Sequence, residues 1–260
     1  MINWLGTLPT LSAAFIVIGG FVFVSVLIGF LVLKFTSSEV RAAHNDRAGF
    51  ILAVIGVIYA VLLAFVAISA WERFEQAEAR TYEEAEALAE VYRDAGSFAG
   101  ADALRATLRA YVESVVNVSW PAMQRGERSN AANALLERLD REVRALPATT
   151  PELADIHAQM LTAMDTALAD RESRVTMDST GINGIMWAVL VIGAIITVAF
   201  TYLFGFDRTI MQALMVGGLS LMIGLVLFLI AALDYPFRGS IAVGPEAFQA
   251  LLDSLKLIGS

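Results

Sequence analysis

The chain alternates long apolar runs with charged, helix-forming stretches. Apolar runs fill 11–34, 49–71, 182–204 and 210–233, each long enough to cross a bilayer as a helix. No Asp, Glu, Lys, Arg or His lies clearly inside any of them. The second run has no polar boundary. After Trp71 it continues directly into a stretch rich in Glu, Ala and Arg, and no Gly or Pro falls between Gly56 and Gly96. The pattern predicts one continuous helix over 49–95 that crosses the membrane and extends beyond it. Such a helix spans roughly 70 Å at 1.5 Å per residue, of which the hydrocarbon core takes about 30 Å.

Both halves of that helix share one register. Phe74, Ala77, Thr81, Ala85, Leu88 and Tyr92 recur at steps of three and four. Run backward, the same face meets Ala70, Ala67, Leu63, Ala60 and Gly56, mostly small residues that let membrane helices approach closely. The opposite face carries Ile58, Val61, Leu62, Phe65 and Ser69, then Glu72, Gln76, Glu83 and Glu90. Two readings of this second face stand. It faces lipid and then solvent, or it lines an oligomeric pore in which an apolar constriction leads to an acidic vestibule.

The remaining runs complete the expected order. The first span lacks a basic leader and a small-residue cleavage site, so it reads as a span rather than a signal peptide. Its Ser25 and Gly29 form a small-xxx-small pair. His44, Asn45 and Asp46 sit at a membrane boundary, either as a turn and N-cap or as a pore-mouth site with a titratable imidazole. The block 72–180 holds most of the charge and reads as four helices, the first being the extension of the second span. Trp120-Pro121 is expected to end one of them. Thr149-Thr150-Pro151-Glu152 signals the start of another. Glu83, Glu84 and Glu86 are expected on a solvated face. The fourth span carries Gly217, Gly218, Ser220 and Gly224, and Pro236 stops it. Asp234 is expected to cap that end or to pair with Arg238. A short amphipathic helix over 245–257 closes the chain.

The expected organisation is therefore 1–71 for the first two spans, 72–180 for a helical extramembrane domain, 181–235 for the last two spans and 236–260 for a tail. The fold class is all-α: a polytopic membrane protein with four transmembrane helices and a helical extramembrane bundle. Composition agrees. The chain is 57% hydrophobic with mean hydropathy +0.66, too apolar for an ordinary soluble domain. With no Cys and two distant His residues, it offers no disulfide framework and no metal-ligand cluster. A net charge of −8 argues against nucleic acid as a partner. No nucleophile–base set or phosphate loop points to an enzyme, and no cofactor is implied. Lys34, Arg41, Arg47 and Arg208 flank one side of the spans. The larger set, Arg73, Arg80, Arg171, Arg174, Arg238 and Lys256, flanks the other and places the helical block in the cytoplasm.

Several stretches in order carry a resemblance: His44-Asn45-Asp46, Gly49, Val57 through Phe65, Trp71-Glu72-Arg73-Phe74, Tyr92-Arg93-Asp94-Ala95, Tyr111, Trp120-Pro121-Ala122-Met123, Leu203-Phe204-Gly205 and Leu233 through Gly239. Together they resemble the bestrophin-like domain family of bacterial membrane proteins, itself remotely similar to bestrophin channels. The resemblance implies four spans, a cytoplasmic helical region and a ring-shaped homo-oligomer, five-fold in bestrophins. It also implies a pore lined by the second span with an apolar neck, which here selects Ile58, Val61, Phe65 and Ser69. Bestrophins conduct mainly anions, whereas Glu72, Glu83 and Glu90 favour cations here. An acidic cluster of the calcium-clasp kind is not found in the sequence. The expected function is a homo-oligomeric ion channel in the cell membrane, with the lipid bilayer, other copies of the chain and permeant inorganic ions as partners. The alternative is a non-conducting membrane scaffold or sensor whose helical domain binds a protein, which a large exposed apolar patch on that domain would favour.

Overall fold

The computed structural model describes residues 10–35, 45–127, 129–204, 209–239 and 241–258. His44 lies outside them, and Asn45 and Asp46 are described as backbone only. The elements are α1 (Thr10–Phe35), α2 (Asn45–Asp94), α3 (Asp102–Ser114), α4 (Trp120–Gln124), α5 (Asn133–Arg144), α6 (Pro151–Ser179), α7 (Gly184–Thr201), α8 (Thr209–Leu233) and α9 (Glu246–Ile258). There is no strand among the described residues. Helix α2 is continuous over 50 residues, with no Pro to break it and no Gly after Gly56. Four of these helices, α1, α2, α7 and α8, are long and apolar enough to cross a membrane.

The chain divides into two compact units. One draws on residues 10–35, 45–72, 182–204, 209–234, 239 and 241; the other on 73–127, 129–181, 235–238 and 242–258. In the first, α1 and α8 pack through the small residues of α8. A Cβ on Gly224 would stand 3.4 Å from Ile18 and Phe21, and one on Gly217 would stand 3.6 Å from Val26. Ser25 and Gly29 are both buried there, and Tyr202 Oη donates to the Ser25 carbonyl at 2.9 Å. Close approach of this kind supplies dispersion contact where lipid offers no hydrophobic drive.

The second unit is a helical bundle with an aromatic and aliphatic core. Leu88, Tyr111, Leu139, Met160 and Met164 are fully buried. The C-terminal residues belong to this core. Phe237 and Phe248 flank Trp120 with ring centroids 5.7 Å away, and Trp120 Nε1 donates to the Val243 carbonyl at 3.3 Å. Trp120-Pro121 does not end its helix. Residues Val115–Ser119 widen into a π turn, in which Trp120 N–H reaches back to the Val115 carbonyl. Pro121 then falls in the first turn of α4, where its missing N–H costs nothing. The helix ends at Gln124 instead, just before Gly126, whose φ of 72° favours glycine. Helix α6 starts where its signal lies, but Thr150 is the cap: its Oγ1 accepts from Leu153 N–H at 3.3 Å.

Candidate ion pathway along the second helix

Within the first unit, α2 is anchored by Tyr59, Leu63, Val66 and Ala70, all buried. Tyr59, Leu63 and Val66 pack with Leu190, Ala194 and Val198 of α7. Tyr59 Oη donates to the Leu190 carbonyl at 2.9 Å, and Gly193 leaves room for the Tyr59 ring. At 100° per residue, Ile58, Val61, Phe65 and Ser69 lie about 90–170° around the helix from this anchor. Those side chains are open in the single chain: Ile58 and Phe65 are each 67% exposed and Val61 is 50% exposed. Leu62 stands between the faces, half-buried against the core. Ala60, grouped with the packing face from its spacing, is exposed.

In the second unit the same helix buries Ala77, Thr81, Ala85, Leu88 and Tyr92. Gln76 and Glu83 are exposed, as is Glu72 at the end of the first unit's stretch. Glu90 is half-buried in a groove of about 780 Å³ between α2 and α6. Glu83 is not a free charge. Arg80 Nη1 holds it at 2.7 Å and reaches Asp170 Oδ1 at 3.1 Å. Burial first, and the nearby Glu83 and Glu84 carboxylates after it, push the Asp170 carboxyl above its ordinary value, although Arg80 pulls it down.

Glu84 departs from the expected solvated face. It is wholly buried and receives Arg174 Nε at 2.8 Å, Arg174 Nη2 at 3.1 Å and Tyr111 Oη at 2.7 Å. The Arg174 guanidinium lies 5.2 Å from the Trp120 ring centroid and 5.4 Å from that of Phe248. Burial works against the charge on Arg174, but the Glu84 carboxylate outweighs it and holds its pKa above the ordinary value. Burial first, then Glu84, pushes the Tyr111 phenol well up, so it stays a donor. The spacing contained a signal for Glu84, because it falls between Thr81 and Leu88 on the packing face.

Asp234 caps no helix end and does not pair with Arg238. It accepts from Ile182 N–H at 2.5 Å and from Trp187 Nε1 at 3.2 Å, fastening the end of α8 to the start of α7. Arg238 turns to Asp178 at 3.2 Å, because Pro236 ends the helical geometry that would bring positions 234 and 238 together. Among the described residues no group of acidic and His side chains is arranged to hold a metal ion.

Four apolar helices and a helical extramembrane unit define a polytopic α-helical membrane protein. The chain belongs to the Bestrophin-like domain family, whose sequence pattern matches residues 19–248. Among solved structures, a mutant bacterial bestrophin homologue from Klebsiella pneumoniae superposes over 94% of this chain and 99% of its own, with TM-score 0.69 at 14% identity. A Klebsiella pneumoniae bestrophin homologue phased with zinc covers 91% of this chain and 94% of its own, with TM-score 0.63 at 15% identity. A point mutant described only as a membrane protein covers 92% and 99%, with TM-score 0.66 at 14% identity. At such identities the likeness establishes the fold. No curated protein matches the chain.

Proposed function

We propose that this chain is one subunit of a homo-oligomeric ion channel whose pore runs along α2. The reading rests on one observation. In a chain with four helices able to cross a membrane, α2 leaves the large apolar side chains of Ile58, Val61 and Phe65 50–67% exposed beside the described residues of its own unit. Around a symmetry axis these side chains form a dewetting constriction, with Ser69 at its end. Glu72, Gln76, Glu83 and Glu90 continue the same helical face as an acidic vestibule, which favours cations. A ring of subunits, five by analogy with bestrophins, supplies the axis, and the helical unit stands in the cytoplasm. The scaffold reading gains no support. Among the described residues, the large apolar side chains exposed on the extramembrane unit are Tyr82, Val118 and Leu257, one on each of three separate elements.

The test is planar-bilayer recording of purified protein under a potassium chloride gradient. Removing a ring that is 67% exposed leaves the subunit's packing intact. The Phe65→Ala channel should therefore fold normally and conduct several-fold more than the wild type. The reversal potential gives the sign of the permeant ion. Identical currents from the two proteins would sink the assignment of the neck.

A further inference from the structure

The extramembrane unit contains a cavity of about 220 Å³ among the π turn, α5 and α6. At about 30 Å³ per molecule, it has room for about seven waters. Its lining includes Ser119, Glu127, Asn133, Arg171, Arg174 and Asp178.

Most charges in the lining have a carboxylate or guanidinium of their own. Arg174 is spent on Glu84, Asp178 is held by Arg238 at 3.2 Å, and Glu127 by Arg125 at 2.9 Å. Arg171 is the exception. It is half-buried and makes no ion pair among the described residues; its Nη2 donates to the neutral amide oxygen of Asn133. A second observation is independent of charge. Ser119 is 7% exposed, and its hydroxyl has no hydrogen-bond partner among the described residues. Buried hydroxyls ordinarily find one, and an orphan requires a reason. It lies in the π turn, a widening of the helix that recurs at functional sites. The third observation is Arg174 Nη1, whose partner is the Met123 thioether at 3.2 Å, a weak acceptor. One uncompensated cation and two underused donors thus line a space of small-molecule size.

We propose that this cavity binds a small monoanionic carboxylate. Arg171 supplies the compensating charge, and the Ser119 hydroxyl and Arg174 Nη1 donate to the oxygens. A planar guanidinium matches a carboxylate in two parallel bonds, and the available volume limits the ligand to a few heavy atoms. The site lies wholly within the extramembrane unit and does not depend on the pore reading.

The experiment uses the full chain in detergent micelles, titrated at constant ionic strength with sodium acetate, sodium L-lactate and, as a separate arm, inorganic phosphate. The readouts are intrinsic tryptophan fluorescence, to which Trp120 beside Arg174 contributes, and thermal shift. Saturable binding of a carboxylate is expected below about 50 mM, the weak range open to so few contacts. Arg171→Gln should weaken it about tenfold or more, and Ser119→Ala several-fold. Ser119→Ala removes an unpartnered hydroxyl, so it folds even if Arg171→Gln does not. Arg141→Gln, which removes an exposed charge elsewhere, should bind as the wild type does. The proposal is overturned by non-saturable responses to both carboxylates or by Ser119→Ala binding at wild-type strength. An equal loss in Arg141→Gln, or phosphate binding more tightly than either carboxylate, also overturns it.

Discussion

Replacing Arg174 with Met tests the buried network of the extramembrane unit. Arg174 is 1% exposed and Glu84 is 0% exposed, so neither can turn to water without opening the bundle. The Met side chain approximates the stem of Arg174 but leaves the Glu84 carboxylate with one donor, the Tyr111 hydroxyl. Stranding a charge in this way costs about 3–5 kcal/mol. In a chain of this length each kcal/mol shifts the melting temperature by about 2–4 °C, so the expected drop is about 6–20 °C. The assay is thermal unfolding in detergent, with the exposed Arg141→Met as control. A triple variant, Arg174→Met with Glu84→Leu and Tyr111→Phe, removes all the polar partners together. It should recover most of the loss, because an apolar replacement of a buried pair is often close to neutral. A drop no larger than that of Arg141→Met would refute the reasoning. So would a triple variant as unstable as the sum of its parts, since the groups would then not act as one network.

Two further predictions follow from named contacts. Asp234→Ala leaves Ile182 N–H and Trp187 Nε1 without their acceptor and should destabilise the protein by about 1–3 kcal/mol; a thermal unfolding curve that overlays the wild type would count against that fastening. Burial raises the Asp170 pKa, so the folded state holds this proton more tightly than the unfolded chain, and stability due to Asp170 falls as pH rises from the ordinary aspartate range through the raised value. The wild type should therefore gain on Asp170→Asn as pH is lowered through that window; a stability difference independent of pH would contradict this.

The spans were legible because membrane helices write their length directly into the sequence, and the extramembrane packing face of α2, Ala77, Thr81, Ala85, Leu88 and Tyr92, was legible in its steps of three and four. Inside the membrane the expected face of Ala70, Ala67, Leu63, Ala60 and Gly56 held only at Leu63 and Ala70, because the large side chains of Tyr59 and Val66, and not the small residues beside them, fill the contact. What escaped was set by contacts between residues distant in sequence. Glu84 has the spacing of the packing face, but a carboxylate in an acidic run is expected in water, and its burial is stabilised by Arg174, 90 positions away, and by Tyr111. The C-terminal stretch read as a separate tail because Phe237 and Phe248 meet Trp120 only in the folded bundle. The rule that Pro ends a helix failed at Pro121 because the π turn resets the helix just before it.

The acidic face of α2 is uneven, and this makes the channel reading sharper than a count of carboxylates. Glu83 shares Arg80 with Asp170, and Glu90 is half-buried beside α6, whereas Glu72 is exposed and makes no ion pair among the described residues. A paired carboxylate adds little net field to a water-filled vestibule, while an unpaired one repeated around a ring adds its full charge in every subunit. Glu72→Gln should therefore move the reversal potential furthest toward zero under a potassium chloride gradient, and Glu83→Gln should move it less. Arg80→Gln should shift it the opposite way, because it releases Glu83. Glu72 and Glu83 are surface-exposed, so their variants should fold and assemble as the wild type does. Arg80→Gln also takes the guanidinium from the buried Asp170, so thermal unfolding in detergent is measured for it alongside the reversal potential. Equal shifts from Glu72→Gln and Glu83→Gln would show that Arg80 does not mask its neighbour in the open channel. No shift from any of the three would place the charge selection elsewhere than on α2.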